Sequence, residues 1–519
     1  MKLSSLLSHV ASSARLTFIV AWAAVTLTSA AWAVTTPLSA SPDEPSHIIR
    51  AASVVRGEFI GEKTKDPALK NVDVPVGIAQ AWKWTCYAYQ PTVGAACIAP
   101  TVNGLELRSA PTSAGLYNPI YYAIVGLPSL VFENTRIDVY AMRALSGLLS
   151  SFFLAFTFTV LVRMIRPLLA GVAFFAALTP MVLFLNGSVN PNSIEIAGGE
   201  ALAVGLLAVA LGKAGKYQSS ILAITAAAGV LLANSRGLSP LWMALIGVAV
   251  LIFTPTSEIR RLIRQRNVII ALAVMAAGVV FAALWILLTG TLSAMGSFAG
   301  AGQTSPVRAF FVMLVDQSAD RGIVGFFGWL DTPAPNIVFF IWSCLLGSLM
   351  VLSLALVTGR ARLALVFSLA TLFLGPPLIQ AAAVAKSGYI WQGRYTLVAV
   401  VSAVVFAAVA LGIASQGFVV QRRIANRLVV IVGILVLIGQ LDSLVGALRR
   451  YSAPGSPSVF TFLTAPSWAP PGGALPWLVL ALVSLSALIL LWWAAVLSNK
   501  SHAVEEPHAT TRGPASPVV

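Results

Sequence analysis

The sequence predicts an all-α polytopic membrane protein with about 12 transmembrane helices and a large first extracytoplasmic loop bearing interfacial helices. Of its 519 residues, 58% are hydrophobic and only 10% are charged, which excludes a water-soluble domain of this length. The apolar runs of about 18–22 residues can each cross a hydrocarbon core of about 30 Å as a helix. We predict spans near 16–35, 144–162, 168–186, 194–212, 219–234, 237–254, 268–289, 336–357, 363–385, 396–415, 428–448 and 475–497.

The basic residues indicate the orientation of these spans, because cytoplasmic loops are enriched in Lys and Arg. An apolar segment at 117–132 is short and holds two prolines. If it lies along the interface, five basic clusters share the side of the N-terminus, and both termini are cytoplasmic in a cell membrane. These clusters are Arg163/Arg166, Lys213/Lys216, Arg260/Arg261/Arg264/Arg266, Arg360/Arg362 and Arg422/Arg423/Arg427.

The net charge of +15 therefore places basic loops beside anionic lipid. The charges are divided among short loops, which favours the lipid bilayer over nucleic acid as the partner. Most acidic residues fall on the other side of the membrane, so chemistry that uses carboxylates is expected outside the cytoplasm.

The first outer loop, about 37–143, is the only large one. Ser41 as N-cap, Pro42 at the first helical position and Glu44 three residues after Ser41 predict an interfacial helix that begins with a capping box. The middle, 60–115, is polar and rich in Pro and Gly, and a second interfacial helix follows near 117–122. Residues 1–450 form the predicted catalytic region, 451–499 a flexible outer loop with the last span, and 500–519 a disordered tail.

Cys86 and Cys97 lie together in this loop, and an oxidising compartment favours a disulfide between them. Two buried thiols are the alternative. A second alternative concerns the N-terminus, since Ala31-Trp32-Ala33 resembles a signal-peptide cleavage site. Cleavage there would free the following acidic motif from its membrane anchor.

Asp43 and Glu44 are the first catalytic candidates, because they arrive where the chain leaves the lipid after residues 16–42 without a charge. A carboxylate at that depth can take a proton from an acceptor hydroxyl. Glu44 can instead serve only as a helix cap. His47, one turn later, can orient a carboxylate or substrate, or be simply solvated, and Glu195 is a second carboxylate candidate.

Arg236 and Arg394 lie at the outer ends of spans, where they can hold a phosphate or anchor the protein at the interface. Lys386 begins the loop that contains Arg394 and joins the predicted phosphate-binding set. The aromatic neighbours Trp391 and Tyr395 can form an interface belt or a surface for stacking a sugar.

Further substrate-binding candidates lie in two other outer segments, at Asn190, Asn192, Trp329 and Asp331.

Four short motifs carry a family resemblance. They are Pro42-Asp43-Glu44-Pro45-x-His47, Asn190-Pro191-Asn192, Phe327-Gly328-Trp329-Leu330-Asp331 and Gln392-Gly393-Arg394-Tyr395. In this order they resemble an uncharacterised bacterial membrane-protein family, a domain of unknown function. With the acidic pair, the aromatic-Pro-Tyr-Tyr segment and Arg143, the chain also looks like the GT-C superfamily of membrane glycosyltransferases.

The GT-C resemblance implies inverting transfer of a sugar from a polyprenyl-phosphate donor to a cell-envelope acceptor. It implies that Asp43 or Glu44 acts as base and that basic residues hold the donor phosphate. Some superfamily members use a divalent cation and others do not. Where related members have an acid in the second outer loop, this chain has Asn190 and Asn192, which puts a metal site there in doubt.

Two other classes compete with this interpretation. Twelve spans with both ends inside also suit a transporter or flippase of lipid-linked sugars, although the charges here collect on one face. A non-catalytic envelope-glycan assembly scaffold would keep the groove and lack the base. A Walker motif, a nucleotide-binding glycine motif and His/Cys metal spacing are all missing from the sequence, so nothing supports ATP hydrolysis or nicotinamide chemistry.

Overall fold

A computed structural model of the protein describes residues 9–292, 296, 300–318, 321–456, 458 and 460–499. The predicted tail at 500–519 lies outside the described residues. The α-helices are α1 Ala14–Thr35, α2 Glu44–Val54, α3 Pro119–Val125, α4 Thr135–Met164, α5 Pro167–Ala177, α6 Pro180–Asn186, α7 Asn192–Ala210, α8 Gln218–Ala233, α9 Ser239–Phe253, α10 Thr256–Leu262, α11 Arg266–Thr289, α12 Pro306–Ser318, α13 Asn336–Leu356, α14 Gly359–Ser387, α15 Leu397–Ala414, α16 Arg422–Ser452, α17 Thr461–Thr464 and α18 Leu475–Ser498.

The predicted all-α polytopic membrane fold is confirmed. Within the described residues, ten helices are long and apolar enough to cross a membrane, and two bent pairs raise the number to as many as 12. The pair α5–α6 bends by 66° and the pair α9–α10 by 117°. In the first pair, Thr179 caps α6 and Pro180 occupies its first turn, so a new helix begins there instead of continuing α5.

The first loop contains a small sheet that the sequence analysis did not predict. Strands β1 Glu62–Lys63, β2 Lys70–Pro75 and β3 Leu107–Thr112 pair antiparallel in that order, with Asp73 opposite Ser109. The sheet packs against α2, and the short helix α3 packs there as well. At seven residues, α3 is too short to cross a membrane, as predicted for segment 117–132.

The last span belongs to the same bundle as the first one. The hydroxyl oxygens of Thr28 in α1 and Ser484 in α18 lie 2.8 Å apart. Trp492 in α18 donates from its indole nitrogen to the Pro167 carbonyl at 2.8 Å. The last span therefore packs against both the first span and the start of α5.

The basic clusters meet at the end of the bundle opposite the first loop. Arg163, Arg166 and Arg360 donate to backbone carbonyls of Ser12, Gln416 and Ile252 at 3.3, 2.7 and 3.0 Å. These contacts join segments that are distant in the sequence.

The span predicted at 428–448 is longer than predicted and takes in the first residues of the outer loop. Helix α16 extends to Ser452, and its Arg450 forms an ion pair with Asp331 at 3.0 Å. Asp331 lies in the turn between two short paired strands, β4 Phe326–Phe327 and β5 Thr332–Pro333. This pair ties the end of α16 to the loop that precedes α13.

Candidate active site

The two adjacent acids point into different surroundings, because the helix begins at Glu44 and Asp43 adopts a left-handed backbone conformation with φ of 61°. Asp tolerates this conformation better than most residues do. The predicted capping box is wrong, since Asp43, and not Ser41, occupies the N-cap position and the Ser41 hydroxyl has no hydrogen-bond partner in the described structure.

Glu44 forms a fully buried, bidentate ion pair with Arg143 of α4. The guanidinium Nε and Nη2 lie 2.8 and 2.6 Å from the two carboxylate oxygens, and both side chains are 0% exposed. The Val189 amide donates to the same carboxylate at 3.1 Å. The remaining donor positions of Arg143 reach the carbonyls of Ala33, Thr36 and Pro37. A carboxylate so enclosed holds the first loop onto the bundle, and this geometry argues against its predicted role as the base.

Asp43 pairs with Arg394 in a more open arrangement. Its Oδ2 lies 2.6 Å from Arg394 Nη2, and the carboxylate side chain is 44% exposed while the arginine side chain is 1% exposed. Arg394 Nη2 also donates to the Tyr395 hydroxyl at 3.1 Å. Its Nε and Nη1 are buried without a hydrogen-bond partner in the described structure. A buried guanidinium with two unused donors is expected to receive an acceptor from a ligand.

Arg236 also contacts Tyr395, with its guanidinium carbon 4.1 Å from the ring centroid. It donates to the Asn192 side-chain oxygen at 2.6 Å, and Asn192 in turn donates to Glu195 at 3.3 Å. Ser239 donates to the second Glu195 oxygen at 2.6 Å. Burial opposes protonation of Arg236, but Tyr395, Tyr117 and Glu195 together raise its pKa above the usual value, so it stays a cation.

The second-loop asparagines connect Arg236 to the acidic segment. Asn190 donates from its amide nitrogen to the Pro42 carbonyl at 3.1 Å and accepts from the Asn192 backbone at 3.0 Å. The Asn190-Pro191-Asn192 segment thus links Arg236 to the backbone next to Asp43.

His47 lines the same region and is buried. Its Nδ1 lies 2.8 Å from the Tyr122 hydroxyl, and its ring is 5.8 Å from the Tyr117 ring. Desolvation lowers the pKa of His47 to about 3, against a smaller upward effect of Asp43, and Arg236 and Arg394 lower it further. His47 is therefore neutral at pH 7 and can hydrogen-bond a substrate without adding charge.

The loop before Arg394 is held by a residue that the sequence analysis missed. The Gln380 side-chain oxygen accepts from the Ile390 and Trp391 amides at 3.1 and 3.0 Å. The Trp391 indole donates to Thr396 at 2.9 Å, and its ring meets Tyr395 edge-on at 5.9 Å. Trp391 therefore packs against the Tyr395 ring and helps to fix its position.

Three predicted site residues make no hydrogen bond or ion pair with Asp43, Arg236 or Arg394 in the described structure. The Asp331 carboxylate forms an ion pair with Arg450. Trp329 is 6% exposed, and its indole donates to the Ser39 carbonyl at 3.0 Å. Lys386 is exposed at the end of α14, where the described residues give it no hydrogen bond or ion pair, and it does not share the buried environment of Arg394. The predicted disulfide between Cys86 and Cys97 is confirmed.

Tyr117, Tyr122 and Ser239 also belong to the cluster and were not predicted. Aromatic residues near the end of a span are usually interface anchors, so their type gives no signal of a site. The described residues contain no group of three or more His, Cys, Asp or Glu side chains that could hold a metal ion.

The profile of a family described as predicted membrane protein, DUF2142, matches residues 27–403. The chain belongs to this family. No curated protein matches the sequence. Among solved structures, the chain is similar to ArnT from Cupriavidus metallidurans bound to undecaprenyl phosphate, at 14% identity and a TM-score of 0.44, covering 92% of this chain and 77% of ArnT. The apo structure of ArnT gives 15% identity and a TM-score of 0.42, covering 93% and 78%.

Proposed function

We propose that this DUF2142 protein is a membrane glycosyltransferase that moves a sugar from a polyprenyl-phosphate donor to a hydroxyl of a cell-envelope acceptor. One observation carries the proposal: a half-exposed carboxylate, Asp43, lies on a buried guanidinium, Arg394, that still has two unused donors. This arrangement provides a base, the Asp43 carboxylate, directly beside an anion-binding group, the Arg394 guanidinium.

The donor phosphate is assigned to Arg394 and Arg236. The guanidinium fork binds two phosphate oxygens side by side, and Arg394 has Nε and Nη1 available for this. Both cations contact the ring of Tyr395, at 5.0 and 4.1 Å, so a phosphate between them would meet positive charge from two sides. The polyprenyl chain would lie in the bilayer, and the ligand class is the one named in the ArnT structure.

Asp43 is assigned as the general base. Because Arg394 would hold both Asp43 and the phosphate, the base would lie next to the leaving group. The acceptor O–H proton would pass to the Asp43 carboxylate as the acceptor oxygen bonds to the anomeric carbon and the bond from that carbon to phosphate breaks. The free polyprenyl phosphate leaves, and attack opposite to it inverts the configuration.

We further propose that this site faces the outside of the cell membrane and that both termini are cytoplasmic. The basic clusters at the opposite end of the bundle support this orientation. In a Cys344→Ser background, Gln90→Cys and Lys386→Cys should react with an impermeant thiol reagent on intact cells. Arg261→Cys and Arg423→Cys should react only after permeabilisation, and the reverse pattern would refute the orientation.

The decisive experiment is sugar transfer in vesicles from defined polyprenyl-phosphate donors to an acceptor mixture. Asp43→Asn keeps the shape but removes the proton acceptor, so turnover should fall by about 10²–10⁴-fold while donor binding persists. Asp73→Asn, an exposed acid in β2, is the matched control and should be unaffected. Movement of the lipid-linked sugar without transfer would identify a flippase, and donor and acceptor binding without either activity would identify a scaffold.

A further inference from the structure

Three aromatic rings form a shelf on the first-loop side of the molecule. Trp329 lies 5.9 Å from Trp82 and 5.7 Å from Tyr89 between ring centroids. Trp329 is nearly buried, but Trp82 is 37% exposed and Tyr89 is 69% exposed. We call these three residues the aromatic shelf.

The shelf is held rigidly from several directions. The Trp82 indole donates to the Pro111 carbonyl at 3.2 Å. Arg450 donates to the carbonyls of Tyr87, Gln90 and Val93, which surround Tyr89 in the sequence. The Cys86–Cys97 disulfide closes the same segment. A preorganised surface loses little conformational entropy when a ligand binds to it.

Tyr89 has a backbone conformation that residues other than glycine rarely adopt. Its φ is 60°, in the left-handed region that a glycine would occupy without strain. The ring meets Trp329 edge-on and is otherwise largely open to solvent. An exposed aromatic side chain on a strained backbone adds little to packing, which is the pattern of a residue that contacts a ligand.

The shelf adjoins the candidate active site. Trp329 donates to the carbonyl of Ser39, in the segment that leads into Asp43. Desolvation raises the pKa of Tyr89, and the Asp43 carboxylate raises it further while Arg394 lowers it. A molecule lying on the shelf would thus present groups to the proposed base.

The surroundings of the shelf indicate the ligand class. Exposed Lys83 and Gln90 follow Trp82 and Tyr89 directly in the sequence, and half-buried Thr85 lies between them in the same segment, so polar residues flank the exposed rings along the chain. A lipid chain or membrane surface needs a continuous apolar patch. A sugar ring has an apolar C–H face that covers an aromatic ring and hydroxyl edges that suit a polar border.

We infer that the aromatic shelf binds a saccharide ring of the acceptor, so that the acceptor of the proposed reaction is a glycan. The identification of this saccharide as the acceptor rests on the proposed function. Saccharide binding by the shelf is argued from the contacts above alone.

The test uses the full-length protein in nanodiscs and saturation-transfer NMR with a panel of defined linear pentose and hexose oligosaccharides. At least one should bind to wild type, and Tyr89→Ala should weaken that binding by about tenfold. Tyr89→Phe should keep most of it. Tyr217→Ala is the matched control, since Tyr217 is 39% exposed in another part of the molecule and should have no effect.

Tyr89→Gly separates binding from folding. It should lose saccharide binding without lowering the melting temperature, because glycine relieves the left-handed strain. A loss of binding accompanied by a lower melting temperature in all three Tyr89 variants would reduce Tyr89 to a structural residue and overturn the inference.

Three further outcomes would also overturn it. The first is that no oligosaccharide binds to wild type at millimolar concentration, and the second is that Tyr89→Ala binds as well as wild type does. The third arises if transfer is measurable and Tyr89→Ala raises the KM for the donor alone, because the ring on the shelf would then be the donor's sugar. Protein that binds oligosaccharides through Tyr89 but transfers no sugar would refute the proposed function and leave the shelf intact.

Discussion

Asp43 and Glu44 are neighbours in sequence, and each pairs with a buried arginine at 2.6 Å, yet the two ion pairs differ in carboxylate exposure and in hydrogen bonding. The Glu44–Arg143 pair is excluded from solvent, and its donors are met by two carboxylate oxygens and three backbone carbonyls. The Asp43–Arg394 pair has a half-exposed carboxylate and a guanidinium with two unused donors. The first pair is complete without a ligand, and the second is not. Completeness of hydrogen bonding, more than burial or charge, therefore separates a structural pair from a candidate catalytic one.

The largest expected effect is on stability. Glu44→Gln should lower the free energy of unfolding by about 3–5 kcal/mol, because it leaves the Arg143 charge buried without a counter-charge. Asp43→Asn should lower it by less, because the Asp43 carboxylate is 44% exposed and the Tyr395 hydroxyl remains beside Arg394. Chemical denaturation in detergent measures both. Equal losses in the two variants would remove the distinction between the pairs.

The second expected effect is on donor affinity. Arg394→Ala should weaken binding of a polyprenyl-phosphate sugar by about 100-fold, because charge-assisted hydrogen bonds to phosphate are lost. Arg394→Lys should weaken it less, since it keeps the charge but loses the planar fork. Isothermal titration with the donor measures these affinities, and Arg136→Ala, an exposed arginine at the start of α4, is the control. Unchanged donor affinity in both Arg394 variants would show that Arg394 does not bind the donor phosphate and only anchors the protein at the membrane interface.

The smallest effect concerns pH and tests the neutral His47 beside Asp43. The pKa of His47 falls from 6.5 to about 3 on folding. Below pH 6.5 the unfolded chain takes up a proton that the folded protein does not, so stability is lost as pH falls towards 3. Between pH 7 and pH 5 this loss is about 2 kcal/mol.

Denaturation at the two pH values measures this loss. His47→Gln should remove it, and His9→Gln, which changes an exposed histidine, should not. A slope that His47→Gln leaves unchanged would contradict the buried, neutral state of His47.

The sequence predicted the elements of the site better than their grouping. Asp43, Arg236, Arg394 and Asn192 were identified because charges and amides at the ends of apolar runs are conspicuous. The separation of Asp43 from Glu44 was missed, because it depends on a left-handed backbone at one residue and on Arg143, which is 99 residues away from Glu44. Gln380 was missed because a glutamine inside an apolar helix gives no sequence signal that its side chain accepts hydrogen bonds from the amides of a following loop.

The sequence by itself determined the membrane class and the approximate positions of the spans. These follow from composition and from the length of apolar runs, which lipid imposes locally on the chain. Only the tertiary structure decided which carboxylate is enclosed and which is available. That choice depends on which guanidinium each acid meets across the bundle and on whether backbone carbonyls satisfy the remaining donors, and neither is encoded in local spacing.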